Sequence, residues 1–284
     1  MKKKKKRGQS AVSQSRAGTR SHLTTLLRER SLRSGELSSP QARIFSVKLH
    51  VMEADEFITL PECHHELTIR NLKSQLELML GIPVNFQRLQ YLDEVDLDDN
   101  STFKENYIIP GGTLTMRIWS EDAWGLLVSA AAKGKIEKLQ HIGASSTSSF
   151  TTANAELLGP KEKSEWLAHR AFVALLITVC RGHMKAVEFL LQNGADLKRK
   201  TPLGRTALHI AATSSQIDCI DILLNYGARL NQEDQDGYTP AALARQWGQK
   251  ENERKLFRYQ WKMRAAEVKK QKLEETAEKT SFQE

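Results

Sequence analysis

Long apolar runs are missing from this 284-residue chain. Nowhere does it sustain the roughly 18 apolar residues that a membrane-crossing helix needs, and no apolar core of a signal peptide follows the N-terminal lysines. A membrane span and a secretory leader are therefore not expected. Cysteine is scarce as well. Cys63, Cys180 and Cys219 show no paired spacing, which excludes a disulfide framework and a CxxC metal site and points to a reducing intracellular compartment, cytoplasmic or nuclear. HExxH, P-loop and nucleophile-elbow patterns are absent, and no cysteine sits in a motif with a histidine, so neither an enzyme nor a cofactor is expected. The single dense run of ligand-type residues is "ECHHE", from Glu62 to Glu66. Neighbours on an extended chain point to opposite faces, so Cys63, His64 and His65 do not converge on one metal, and the run reads as a surface loop.

Acidic residues are almost absent from one region only. Residues 1–40 hold eleven Lys and Arg against two Glu, a charge of +9, whereas the whole chain carries +8. The excess is a tail. "MKKKKKRGQSAVSQSRAGTRS" is Ser-rich and lacks hydrophobic periodicity, so residues 1–43 are expected to be disordered. Its lysine run is open to several readings: a solvated tail, a nuclear-import signal, a nucleic-acid patch or an acidic-lipid contact. A transit peptide is a further option, since "SHLTTLLRERSL" has a short amphipathic pattern. Nucleic acid is not the expected partner of the chain as a whole.

What is present is a repeat. "GRTALHIAA" (204–212) returns as "GYTPAALAR" (237–245), Gly194-Ala195 returns as Gly227-Ala228, and Leu190-Leu191 returns as Leu223-Leu224, always 33 residues on. A fixed period of this size marks one supersecondary unit stacked on its copies. Gly204 and Gly237 suit a turn with positive φ, Thr206 and Thr239 suit helix N-caps, and Pro240 suits a first helical position. Met184, Val187, Leu190 and Leu191, echoed by Ile217, Ile220, Leu223 and Leu224, form the apolar stripe of a second helix. Gly194 and Gly227 then stop it. An earlier copy from Gly125 to Ala144 keeps the rhythm, but its Gly134 precedes Gly182 by 48 residues rather than 33. A polar insertion near 145–165 accounts for the difference.

These motifs resemble the ankyrin repeat, whose signature is T-P-L-H-x-A at a 33-residue period. The resemblance covers about residues 120–255 and implies an all-α solenoid of about four repeats. His209 is implied to be a hydrogen-bonded structural residue beside Thr206. Arrays of this kind bind proteins with hairpin tips and the concave face of the inner helices. By position, one tip holds Lys198, Arg199, Lys200 and Arg205, and the next holds Gln232, Glu233, Asp234, Asp236 and Tyr238. A basic tip beside an acidic one implies a protein partner of mixed charge.

Residues 44–119 follow another grammar. "FSVKLHVM" alternates apolar residues at Phe45, Val47, Leu49 and Val51, "EFITLPE" offers a second strand, and Ile69, Leu72, Leu76 and Leu80 share one face of a helix capped by Thr68 and closed by Gly81. "GIPVNFQRLQYL", "LDDNSTFKENYI" and "GGTLTMRI" match ubiquitin in order and spacing, so this stretch resembles a ubiquitin-like α+β β-grasp domain. Two departures matter. No Gly-Gly follows the last strand, which implies a built-in domain that is not conjugated. The apolar recognition patch of ubiquitin is replaced by Gln90, Thr115 and Arg117, which removes burial worth about 1.5–3 kcal/mol per large side chain. A ubiquitin-system partner stays open as an alternative to a scaffold role. The segment 256–284 reads as a charged helix with Phe257, Trp261, Ala265 and Val268 on one stripe. It suits a cap on the solenoid, or a calmodulin-target helix with a degraded IQ spacing at Tyr259-Gln260, Arg264 and Lys269.

Overall fold

The computed structural model describes residues 43–145 and 148–281, with backbone alone from 272 onward. The lysine tail lies outside the described residues. The chain opens with strand β1 (Phe45–Val51), which runs antiparallel to β2 (Glu56–Cys63). Helix α1 (Ile69–Leu80) crosses to β3 (Gln87–Tyr91), and β4 (Thr113–Ile118) returns to lie parallel to β1, giving the sheet order β2-β1-β4-β3. Alternation decides which face is buried: Val47, Leu49, Val51, Leu89, Leu114 and Met116 all point onto α1 and are sealed from solvent. Thr68 caps α1 by accepting from Asn71 N at 3.3 Å, and Gly81 ends it at φ +71°. These match the expected caps.

Five residues after β4, helix pairs begin to stack. The inner helices are α2 (Trp124–Ala132), α5 (Pro160–Arg181), α7 (Ala207–Thr213) and α9 (Pro240–Gln246). Their outer partners are α3 (Ile136–His141), α6 (Met184–Gln192), α8 (Ile217–Asn225) and the start of α10 (Lys250–Ser281). A short helix, α4 (Ala153–Glu156), lies in the insertion. No helix among the described residues is long and apolar enough to cross a membrane.

Two boundaries shift here. The insertion ends inside a helix: α5 starts at Pro160, so residues 160–165 run into the inner helix without a break. Arg170 fixes that region. Fully buried, it donates to Ile142 O at 2.7 and 3.1 Å and to Asp122 O at 2.6 Å, and it stacks over Trp124, Phe150 and Trp166 at 4.8 Å each. Burial lowers its guanidinium to about 10, which leaves it charged at neutral pH. The C-terminal helix also begins earlier than 256. Asn252 and Leu256 are buried against the last repeats, and Asn252 Nδ2 donates to Ala211 O, Ala212 O and Ser214 O at 3.3, 3.1 and 2.6 Å. One side chain thus serves carbonyls that the end of α7 leaves without helical partners.

Candidate functional site: the inner-helix face and the hairpin tips

The side of α5 and α7 turned away from the outer helices is where a solenoid of this type would offer its concave surface. In this chain α1 packs there instead. The contact is close. A Cβ on Gly81 would lie 2.5 Å from Leu176 O, so only glycine lets α1 approach α5 so nearly. The last carbonyls of α1, orphaned by the helix end, find donors in the repeats: Thr213 Oγ1 donates to Leu78 O at 3.2 Å and Cys180 Sγ to Met79 O at 3.2 Å. Phe86 tilts against Trp124 at 4.5 Å and His169 at 5.7 Å, and Arg181 pairs with Glu56 at 2.7 Å. One continuous apolar core results, running from Val47 to Leu256.

At the centre of this junction sits Arg205. Nη1 donates to Ser74 O at 2.8 Å and Nη2 to Ser74 Oγ at 2.9 Å, while Glu77 lies 3.5 Å away on one side and Asp234 3.5 Å on the other. All three charged side chains are at most 3% exposed. Glu77 also accepts from Thr201 Oγ1 at 2.8 Å and from Val84 N at 2.9 Å. Burial still outweighs these partners and raises its carboxyl above the usual range. A buried triad of this kind adds little net stability but makes removal of any one member costly.

The predicted tip residues therefore divide. Arg205 is not at an exposed tip; it is buried against α1. Asp234 is buried too, its Oδ1 accepting from Asp236 N at 3.1 Å and Tyr238 N at 2.8 Å to shape the turn. Lys198, Lys200, Glu233 and Asp236 are exposed, and Arg199, Gln232 and Tyr238 are half-buried. The two tips touch: Lys200 Nζ donates to Glu233 O at 2.9 Å and Gln235 N to Leu203 O at 2.9 Å. The concave face, expected to hold a partner, is filled by the chain's own domain where α5 and α7 meet α1.

His209 has the structural role its motif implies. Nδ1 accepts from Thr206 N at 3.0 Å, and Nε2 lies 3.1 Å from Tyr238 O, so the neutral ring donates across to the next hairpin. Burial lowers it to about 4. The "ECHHE" run does not gather a site. Cys63 is buried with its thiol raised to about 12, and His65 lies against Phe45. Burial raises Cys180 and Cys219 to about 11 each, so none of the three is a thiolate at neutral pH. Among the described residues, no group of three or more His, Cys, Asp and Glu is placed to hold a metal.

On the sheet face turned away from α1, Gln90 pairs across to Thr115. Gln90 Nε2 donates to Glu94 O at 2.8 Å and Asp96 Oδ1 at 2.9 Å, so the residue is occupied and buried. Lys48, Phe57, Thr59 and Arg117 remain exposed there, with His50 stacked on Phe57 at 4.1 Å. On α10, Phe257, Trp261, Ala265 and Val268 are exposed.

Sequence reasoning missed Glu77, Ser74 and Arg170. A signal existed for the first: "LELMLGI" (76–82) is apolar on more than one side of the helix, which marks a helix buried on two faces.

Comparison with known proteins agrees with these two halves. Residues 47–106 match the model of the ubiquitin-like domain, and residues 174–266 match the model of ankyrin repeats in three copies. Similar proteins include the human ankyrin repeat and SOCS box protein 16, 32% identical over 95 residues (32% of this chain and 21% of that protein). The potassium channel AKT1 of Arabidopsis thaliana is 36% identical over 78 residues, 28% of this chain and 9% of the channel. A mouse protein, fem-1 homolog A-like, is 33% identical over 89 residues, 31% of this chain and 14% of that protein. The match thus spans between 9 and 21% of the length of these relatives. The chain carries a ubiquitin-like domain followed by ankyrin repeats, two protein-interaction modules packed on one core.

Proposed function

We propose that this protein is a non-catalytic interaction adaptor that holds a client segment of mixed charge along its adjoining hairpin tips. The observation that carries the reading is the filled inner-helix face: α1 is seated on α5 and α7, while a basic and an acidic tip stand side by side and touch through Lys200 and Glu233. Lys198, Arg199 and Lys200 supply one half, and Gln232, Glu233, Asp236 and Tyr238 the other. The ubiquitin-like domain acts as a fixed part of the adaptor. Ile118 leads through five residues into α2 with no Gly-Gly to activate, which supports a domain that is not conjugated.

A second reading rests on the outer sheet face, which points away from the repeats and exposes Lys48, Phe57 and Arg117. A ubiquitin-system component could be recruited there while the tips hold the client. Deleting residues 44–119 would strip the partners of Leu176 and Thr213 and confuse the two readings, so point variants are preferable. Quantitative affinity capture should compare the full chain with Lys198→Glu/Arg199→Glu/Lys200→Glu and with Phe57→Ser/Arg117→Glu. Loss of the main partners with the tip variant alone supports the adaptor reading. Loss of ubiquitin-system proteins with the sheet variant alone supports the second. Retention of all partners by both variants refutes each.

A further inference from the structure

The two ends of the repeat array are finished differently. At the C-terminal end α10 covers the last inner helix. At the other end a groove of about 420 Å³ opens between α2 and α3, floored by Leu126, Ala130 and Ile142 and rimmed by Lys133, Lys135 and Lys138. We infer that this groove docks an acidic amphipathic helix from a partner protein, which would stack there as an additional repeat does.

The register of the repeats identifies the surface. Stepping 48 residues from Leu126, Ser129, Lys138 and Ile142 gives Ala174, Ile177, Ala186 and Leu190; a further 33 gives Ala207, Ile210, Cys219 and Leu223. All eight of those later residues are at most 1% exposed. The groove is thus built from positions that the repeats use for packing within the array, left open in the first copy. A terminal repeat needs a polar outer face, which accounts for Ser129 and Lys138. It does not account for Leu126. There a residue larger and more apolar than the Ala174 and Ala207 of the later copies stands 64% exposed, the opposite of what solubility alone selects.

Charge selects the occupant. Lys133, Lys135 and Lys138 form no ion pair among the described residues, and Glu137 is the only acid lining the groove. His141 adds a fourth nitrogen base, with Nδ1 held by Glu137 O at 2.6 Å. The chain's own N-terminal tail, at +9 over residues 1–40, has the wrong sign to fill it. An apolar stripe to cover Leu126 and Ile142, flanked by carboxylates to meet three lysines, satisfies both features.

The test titrates the full chain into a fluorescein-labelled helical peptide of about 18 residues, long enough to form a helix on binding. The peptide carries Leu at i, i+3, i+4 and i+7 and Glu on its flanks, and a control has the same composition with the leucines scattered. Specific binding should weaken as salt rises and fall about tenfold or more in Lys133→Glu/Lys138→Glu and in Leu126→Gln. Changing Lys2 to Lys6 to Gln should leave it unaltered. Because the variant side chains are exposed, unchanged circular dichroism melts are expected and are checked in parallel. Equal binding of the scattered control or of polyglutamate, indifference to the groove variants, or loss with the tail variant would each overturn the proposal. Binding to the tips would instead respond to Lys198→Glu/Arg199→Glu/Lys200→Glu, which separates this inference from the proposed function.

Discussion

The ubiquitin-like domain has two faces of opposite fate. The α1 side buries Glu77, Ser74 and Leu78 against the repeats, and each has a hydrogen-bond partner more than a hundred residues away. The outer sheet side carries Lys48, Phe57, Thr115 and Arg117 in contact with solvent, where ubiquitin has its apolar patch. The helix side is the committed surface. The domain's own chain has become the ligand of the helix side, and the sheet side is left chemically unlike ubiquitin.

Substitutions sharpen this contrast. The largest effect is expected at Arg205: Arg205→Met leaves Glu77 and Asp234 buried without their cation and should cost about 3–5 kcal/mol in urea denaturation. Gly81→Ala comes next. The left-handed φ costs roughly 1–2 kcal/mol and the 2.5 Å approach to Leu176 O typically 1–3 more, read from the same denaturation midpoint. Asn252→Ala should cost about 1–3 kcal/mol by leaving buried carbonyls unpaired, with hydrogen exchange of α10 accelerating first. On the outer face, Phe57→Ser/Arg117→Glu should shift stability by no more than about 0.5 kcal/mol, and a larger shift would mean that this face is not free.

Acidity probes the same packing with a defined sign. His169 and His209 are held at about 4 by burial, against an ordinary 6.5, so the folded state needs them neutral. Their contribution is complete above about 6.5 and is lost as the pH falls towards 4. Glu77 runs the other way: its raised carboxyl contributes fully at low pH, and the contribution is lost as the pH rises through its folded value. His209→Gln keeps an acceptor for Thr206 N and should flatten the acid slope between pH 6.5 and 4. An unaltered slope would contradict the assignment.

Much of this was legible in local residue order. Thr68, Thr206 and Thr239 cap the helices their positions announce, and His209 bridges to the following hairpin as its motif implies. Those features depend on neighbours three or four residues away, or one repeat on. Period arithmetic assigns Arg205 to a tip because it fixes a position along the chain and not the direction of a side chain, and the side chain is buried. Its destination depends on Ser74 and Glu77, 131 and 128 residues earlier, and no periodicity links them. The polar composition of "SSTSSFTTANAELLGP" (145–160) marks an insertion but not where it ends: Pro160 is helix-compatible at a first position, and α5 runs from it without a breaker.

The most direct test of the central claim, that α1 is seated on the repeats' inner face, is a double-mutant cycle on Glu77→Gln and Arg205→Met in the full chain. Charges in contact across a buried junction should couple, giving an interaction energy of about 0.5–3 kcal/mol from equilibrium unfolding. Strictly additive effects, within about 0.3–0.5 kcal/mol, would mean that the two residues do not meet and that the ubiquitin-like domain and the repeats are separate bodies.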